Sequence, residues 1–162
     1  MGSHKNIKLY TIDKLAGSGR EIPKVILESD DYGYWKLPTE LLSFFYYKIG
    51  DENWIKWDSY DEEMELKIED CEEFYKLITE ASRLLISVIG DRYGDFDEEN
   101  PKHIAVYNKI AEMFHFEGEN LKPDWYTISH VFDEYEYFTD LMGIIKKLDE
   151  EKKTYFVTLI FE

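Results

Sequence analysis

Apolar side chains recur at Phe74, Leu77, Ile78, Ala81, Leu85, Val88 and Ile89, three and four residues apart, with mostly polar residues between them. That spacing puts one apolar stripe along a 3.6-residue helix. Asp70 and Glu73 stand where a capping box opens such a helix, and Gly90 where it stops. A second helix is predicted from Asn100 as cap and Pro101 at the first helical position, through Ile104, Tyr107, Ile110, Ala111 and Phe114, with Gly118 as its stop. Ile128, Val131, Phe132, Tyr135, Phe138, Met142, Ile145 and Leu148 predict a long helix broken near Gly143. A shorter buried helix runs from Thr39 as cap through Leu41, Leu42, Phe44, Phe45 and Ile49 to Gly50.

Other segments alternate with a period of two. Residues 7–12, IKLYTI, and 24–28, KVILE, predict strands separated by the loop AGSGREIP. NWIKWD and MELKIE, joined by SYDEE, predict a β-hairpin with an acidic tip, in which Met64, Leu66 and Ile68 share one face and Glu65 and Lys67 the other. KTYFVTLIF predicts a closing strand. Strands, helix, hairpin, three helices and strand do not alternate as a doubly wound parallel sheet requires. The expected fold is therefore α+β: one globular acidic domain over residues 1–162, a mostly antiparallel sheet covered by about four helices, with the last strand inside the sheet. The initial MGSH reads as a cloning scar, which removes His4 from consideration.

Composition supports a folded chain. Of 162 residues 44% are hydrophobic, including 4 Trp, 13 Tyr and 10 Phe, more apolar surface than a disordered acidic tail carries. The charge is the unusual property. Lys and Arg number 19 against 35 Asp and Glu, a formal net charge of −16. It is also uneven, since the first 50 residues hold seven bases and six acids and the rest 12 bases and 29 acids. Such a field repels phosphate backbones and anionic lipid and attracts basic proteins, so neither direct nucleic-acid binding nor membrane binding is expected. The start lacks the apolar stretch of a secretory signal and no segment has the length of a membrane span, which predicts a cytoplasmic protein.

Motifs for catalysis or metal binding fail on inspection. The segment from Asp95 has Asn100 where an EF-hand needs its turn glycine and Val106 where it needs a bidentate Glu. A weak cation site near Asp91, Asp95, Asp97, Glu98 and Glu99 is the most that segment suggests, with a solvated loop the default. HFE at 115–117 has the H-x-E half of the zinc deaminase signature without the cysteine pair downstream. His103, His115 and His130 lack HExxH spacing and read as surface or hydrogen-bonded histidines. GSG at 17–19 is not a phosphate cradle, and no serine sits in a G-x-S-x-G elbow. Cys71, the sole cysteine, excludes an intrachain disulfide and reads as a small buried side chain. No catalytic residue, cofactor or metal is expected.

Three acidic surfaces remain: residues 51–73 with eleven acids and two bases, 91–99 with five acids and Arg92, and DEYEYFTD at 133–140 with four acids and no base. Aromatic rings run through them, and such rings anchor interfaces at low entropic cost. The predicted partner-binding residues are Trp57, Asp58, Tyr60, Asp61, Glu62, Glu63 and Glu65 at the hairpin tip. Asp133, Glu134, Glu136, Tyr137 and Asp140 form a secondary acidic surface. In size, acidity and lack of catalytic motifs the chain resembles toxin-immunity proteins. The expected function is a non-catalytic inhibitor that neutralises a basic protein, with a nuclease or other nucleic-acid-acting toxin as the leading partner. A DNA mimic that antagonises a defence nuclease, a small enzyme or ligand-binding domain with an aromatic-lined pocket, and an adaptor are the alternatives.

Overall fold

Period-two alternation gives four strands among the described residues: β1 (Lys5–Lys14), β2 (Glu21–Glu28), β3 (Met64–Leu66) and β4 (Tyr155–Phe161). The computed structural model describes residues 5–14, 19–32, 39–50, 63–90, 96–116 and 125–161. Every pairing is antiparallel, in the order β2-β1-β4-β3, so the last strand lies inside the sheet. Ile7 pairs with Leu159, and Leu9 and Leu66 both pair with Val157. All five side chains are buried, because one register places them on the face that the helices cover.

Among the described residues four α-helices supply that cover: α1 (Thr39–Ile49), α2 (Ile68–Ile89), α3 (Pro101–Met113) and α4 (Trp125–Glu150). A 3-10 helix, Ser29–Tyr32, follows β2 directly. Phe74 of α2 occupies the centre of the core, its ring 4.5 Å from Phe138, 4.9 Å from Phe45, 5.3 Å from Phe114 and 5.6 Å from Phe44. One ring thus joins α1, α2, α4 and the residue that caps the end of α3, at the position the sequence stripe marks. Burying each such side chain is worth roughly 1.5–3 kcal/mol, which offsets the self-repulsion of the charged exterior.

Several boundaries differ from expectation. The capping-box assignment to Asp70 and Glu73 is incorrect: α2 opens at Ile68, with Lys67 as an N-cap that makes no side-chain bond. Ile68 therefore belongs to the helix and not to a hairpin strand, and β3 keeps three residues, paired with β4. The other predicted hairpin strand, NWIKWD, and the tip SYDEE except Glu63 lie outside the described residues. Helix α3 ends at Met113, before Gly118, in a turn where His115 adopts φ 55 and stacks on Tyr47. Helix α4 runs unbroken through exposed Gly143, where the burial of Leu141 before it and Ile145 after it outweighs the ~1 kcal/mol helix penalty of glycine. The cap at Asn100 is as predicted, its Oδ1 accepting from the Lys102 N–H at 2.9 Å. Gly50 and Gly90 both adopt φ +90°, a conformation that favours glycine, immediately after α1 and α2. Among the described residues, no helix is long and apolar enough to cross a membrane.

Candidate functional site

The 3-10 helix is held by a small buried polar network. Ser29 Oγ accepts from the Ile7 N–H at 2.9 Å and donates to Asn6 Oδ1 at 3.0 Å, and Asn6 Oδ1 also accepts the Asp30 N–H at 3.2 Å. Asn6 Nδ2 donates to Glu28 at 3.1 Å. These bonds tie the chain leaving β2 to the start of β1, and that fixes Tyr32. The Tyr32 ring meets Tyr137 edge-on at 5.2 Å, and the Tyr137 hydroxyl donates to the Ile7 carbonyl at 2.9 Å. From this platform the Tyr32 hydroxyl donates to Asp140 Oδ2 at 2.6 Å. Burial, followed by the bond to Asp140, pushes the phenol up to about 12, so it stays protonated and donating.

Along α4, residues 135 and 139 and residues 136 and 140 are four apart and share its outer face. Thr139 Oγ1 donates to the Tyr135 carbonyl at 2.7 Å and lies 3.4 Å from the Tyr75 hydroxyl. Tyr75 of α2 and Tyr135 lie nearly parallel, 7° apart in plane with centroids 6.3 Å apart. Tyr32, Tyr135, Glu136, Thr139 and Asp140 line a groove of about 190 Å³. Its described walls carry two carboxylates, aromatic rings and no basic side chain. No nucleophile paired with a base lies among them, and the arrangement is chemically suited to holding a cation.

The secondary acidic surface therefore divides. Glu136 and Asp140 are exposed and face this groove, and Asp133 is half-buried. Assigning Glu134 and Tyr137 to that surface is incorrect: their exposures are 2% and 0%. An eight-residue run turns more than twice around a helix, so 134, 137, 138 and 141 point inward while 135, 136, 139 and 140 point outward. Burial pushes the Glu134 carboxyl up to about 8, with the neighbouring Asp133 adding to the shift. His130, one turn earlier and buried, has Nδ1 3.7 Å from Asp133 Oδ2, and burial draws its pKa down.

Of the predicted hairpin-tip residues, Trp57, Asp58, Tyr60, Asp61 and Glu62 lie outside the described residues. Glu63 is exposed, and one of its oxygens accepts from Tyr10 and from Thr158 Oγ1, which pins it to the sheet. Glu65 is exposed on β3 and lines a second cavity of about 200 Å³ with Lys48, Lys67 and Asp70, whose mixed charges favour neither sign.

In the third acidic segment Asp91 and Asp95 lie outside the described residues. Asp97 Oδ1 accepts from the Glu99 N–H, and buried His103 Nδ1 accepts from the Asp97 N–H, both at 2.9 Å. His103 thus anchors a turn with its proton on Nε2. Among the described residues no group of three or more His, Cys, Asp or Glu could hold a metal ion. Cys71 is fully buried, and burial, with the acids at 69, 70 and 72 adding, pushes its thiol up to about 12.

Sequence reasoning missed Tyr32, Tyr135 and Thr139 as groove residues. The 135/139 and 136/140 spacing marks the outer face, but nothing in the sequence brings Tyr32 to Asp140 across 108 residues. No family model, curated protein or solved structure matches the chain.

Proposed function

We propose that the chain is a non-catalytic, immunity-type inhibitor that binds and neutralises a basic protein, with a nuclease or other nucleic-acid-acting toxin as the leading partner. The observation that carries this reading is the tyrosine-lined groove between the 3-10 helix and α4, whose described walls set the Asp140 and Glu136 carboxylates beside aromatic rings. A net charge of −16 steers a basic partner toward the chain, and the rings supply contact area once it arrives. Carboxylates of this kind meet the Lys and Arg that a nucleic-acid enzyme holds ready for phosphates. The reading places the protein in the cytoplasm.

The test is retention of source-lysate proteins on the immobilised chain at low salt, elution by a salt gradient, and assay of each eluted protein. A basic protein whose activity is abolished at one-to-one stoichiometry is the expected result. A retained set with no activity inhibited overturns the reading, as does a turnover by the chain itself that one carboxylate or histidine substitution removes.

A further inference from the structure

The groove has a shape and chemistry that select among cations. Its described walls combine the Tyr32 and Tyr135 rings, the Thr139 hydroxyl and the Glu136 and Asp140 carboxylates, and Tyr75 stands beside Tyr135 with its ring nearly parallel. Asp140 is oriented before any ligand arrives: Tyr32 holds Oδ2 at 2.6 Å, while Oδ1 accepts no hydrogen bond among the described residues. Tyr32 in turn rests on Tyr137 and on the Asn6–Ser29 network, so the carboxylate is fixed by the core and not by solvent. A site ordered in advance loses less entropy on binding.

We infer that this groove seats an arginine side chain of the basic partner, its guanidinium against the Tyr135 ring and hydrogen-bonded to Asp140. The inference rests on the reading of the chain as a binder of a basic protein. Arginine is favoured over lysine on three physical grounds. Its planar cation stacks on an aromatic face, whereas an ammonium meets the ring as a point charge. It is more weakly hydrated, so entering a groove walled by rings strips less water from it. Its fork of donors reaches a carboxylate and a neighbouring hydroxyl or carboxylate at once, and charge-assisted bonds of that kind are the stronger ones. Glu136, one turn before Asp140, adds negative potential on the same side.

The probe is a blocked Gly-Arg-Gly tripeptide titrated into the isotope-labelled full-length chain and followed by amide chemical shifts, beside the same tripeptide carrying lysine or neutral citrulline. Saturable shifts centred on Tyr32, Tyr135, Thr139 and Asp140 are expected with arginine, binding at least threefold weaker with lysine, and no saturable shifts with citrulline. Asp140→Asn, a nearly isosteric change at an exposed position, should weaken arginine binding at least fivefold. Tyr135→Leu should weaken it as well, while leaving the circular dichroism spectrum unchanged. Equal response to arginine and citrulline, a measurement on the unaltered chain, overturns the inference, as do arginine shifts centred elsewhere or an unchanged affinity in Asp140→Asn. With a neutralised partner in hand, wild-type affinity of Asp140→Asn for it overturns the arginine seat and leaves the inhibitor reading intact. An arginine peptide that seats normally in a chain that neutralises no basic protein does the reverse.

Discussion

Glu134 offers the sharpest quantitative test of the fold. Its side chain is 2% exposed on the inner side of α4, its Oε2 makes no hydrogen bond among the described residues, and burial raises its carboxyl to about 8 from the ordinary 4.5. The folded state therefore keeps a proton that the unfolded chain releases above pH ~4.5, and stability falls as pH rises. The stabilising contribution of the neutral form is fully present below about 4.5 and lost by about 8, and each pH unit between costs about 1.4 kcal/mol. Relative to a side chain that cannot ionise, the penalty is about 1 kcal/mol at pH 5 and about 4 kcal/mol at pH 8.

Glu134→Gln removes the titration and nearly preserves the volume. Whatever fixed cost the amide carries in that site cancels when two pH values are compared, and so do the other carboxylates, which both proteins share. His130 and Asp133 also lie on this turn, and burial already holds His130 neutral over the upper part of the range. The assay is urea unfolding followed by circular dichroism at pH 5, 6, 7 and 8 for both proteins. The stability of the variant relative to wild type should rise by about 3 kcal/mol from pH 5 to pH 8. A difference that stays within ~0.5 kcal/mol across that range, or that falls with pH, would refute a neutral buried Glu134.

Association with the basic partner should slow as salt rises, because the Debye length shrinks from ~10 Å at 0.1 M to ~3 Å at 1 M; stopped-flow rates that ignore salt contradict steering. Asn100→Ala should cost about 1 kcal/mol in urea unfolding through loss of the Asn100–Lys102 cap, with no effect on partner binding. Cys71, buried and held as a thiol to about pH 12, should react with a thiol-specific disulfide reagent at pH 8 only after denaturation, and rapid labelling of the native chain would contradict its placement.

Helix positions and the sheet's central closing strand were legible because periodicity is a local property that burial enforces. The stripe from Phe74 to Ile89 and the pairing of Leu9 with Val157 both follow from which side chains must leave water. The start of α2 was not legible. Asp70 and Glu73 fit a capping box by type, but Ile68 packs against the core and the helix starts three residues earlier, leaving uncapped Lys67 at its N-terminal end. Local capping preference is worth about 1 kcal/mol, and the partial burial of Ile68 against the core, next to the pairing of Leu66 with β4, competes with it at that boundary.

The same competition explains why charge density alone misplaced part of the site. DEYEYFTD reads as a single acidic surface only if every residue faces solvent, yet the series Phe138, Leu141, Ile145 and Leu148 requires the inner side of α4 to face the core. Helical geometry then carries Glu134 inside along with Tyr137, and the carboxyl gives up its charge because ionising in place costs more than holding a proton near neutrality. What the run contributes outward is narrower: Asp140 and Glu136 one turn apart, flanked by Tyr135 and Thr139, and completed by Tyr32 from the 3-10 helix that follows edge strand β2. A partner's cation meets that arrangement and not the sum of the acids, so neutralising Asp140 should matter more to binding than its one unit of the net charge implies.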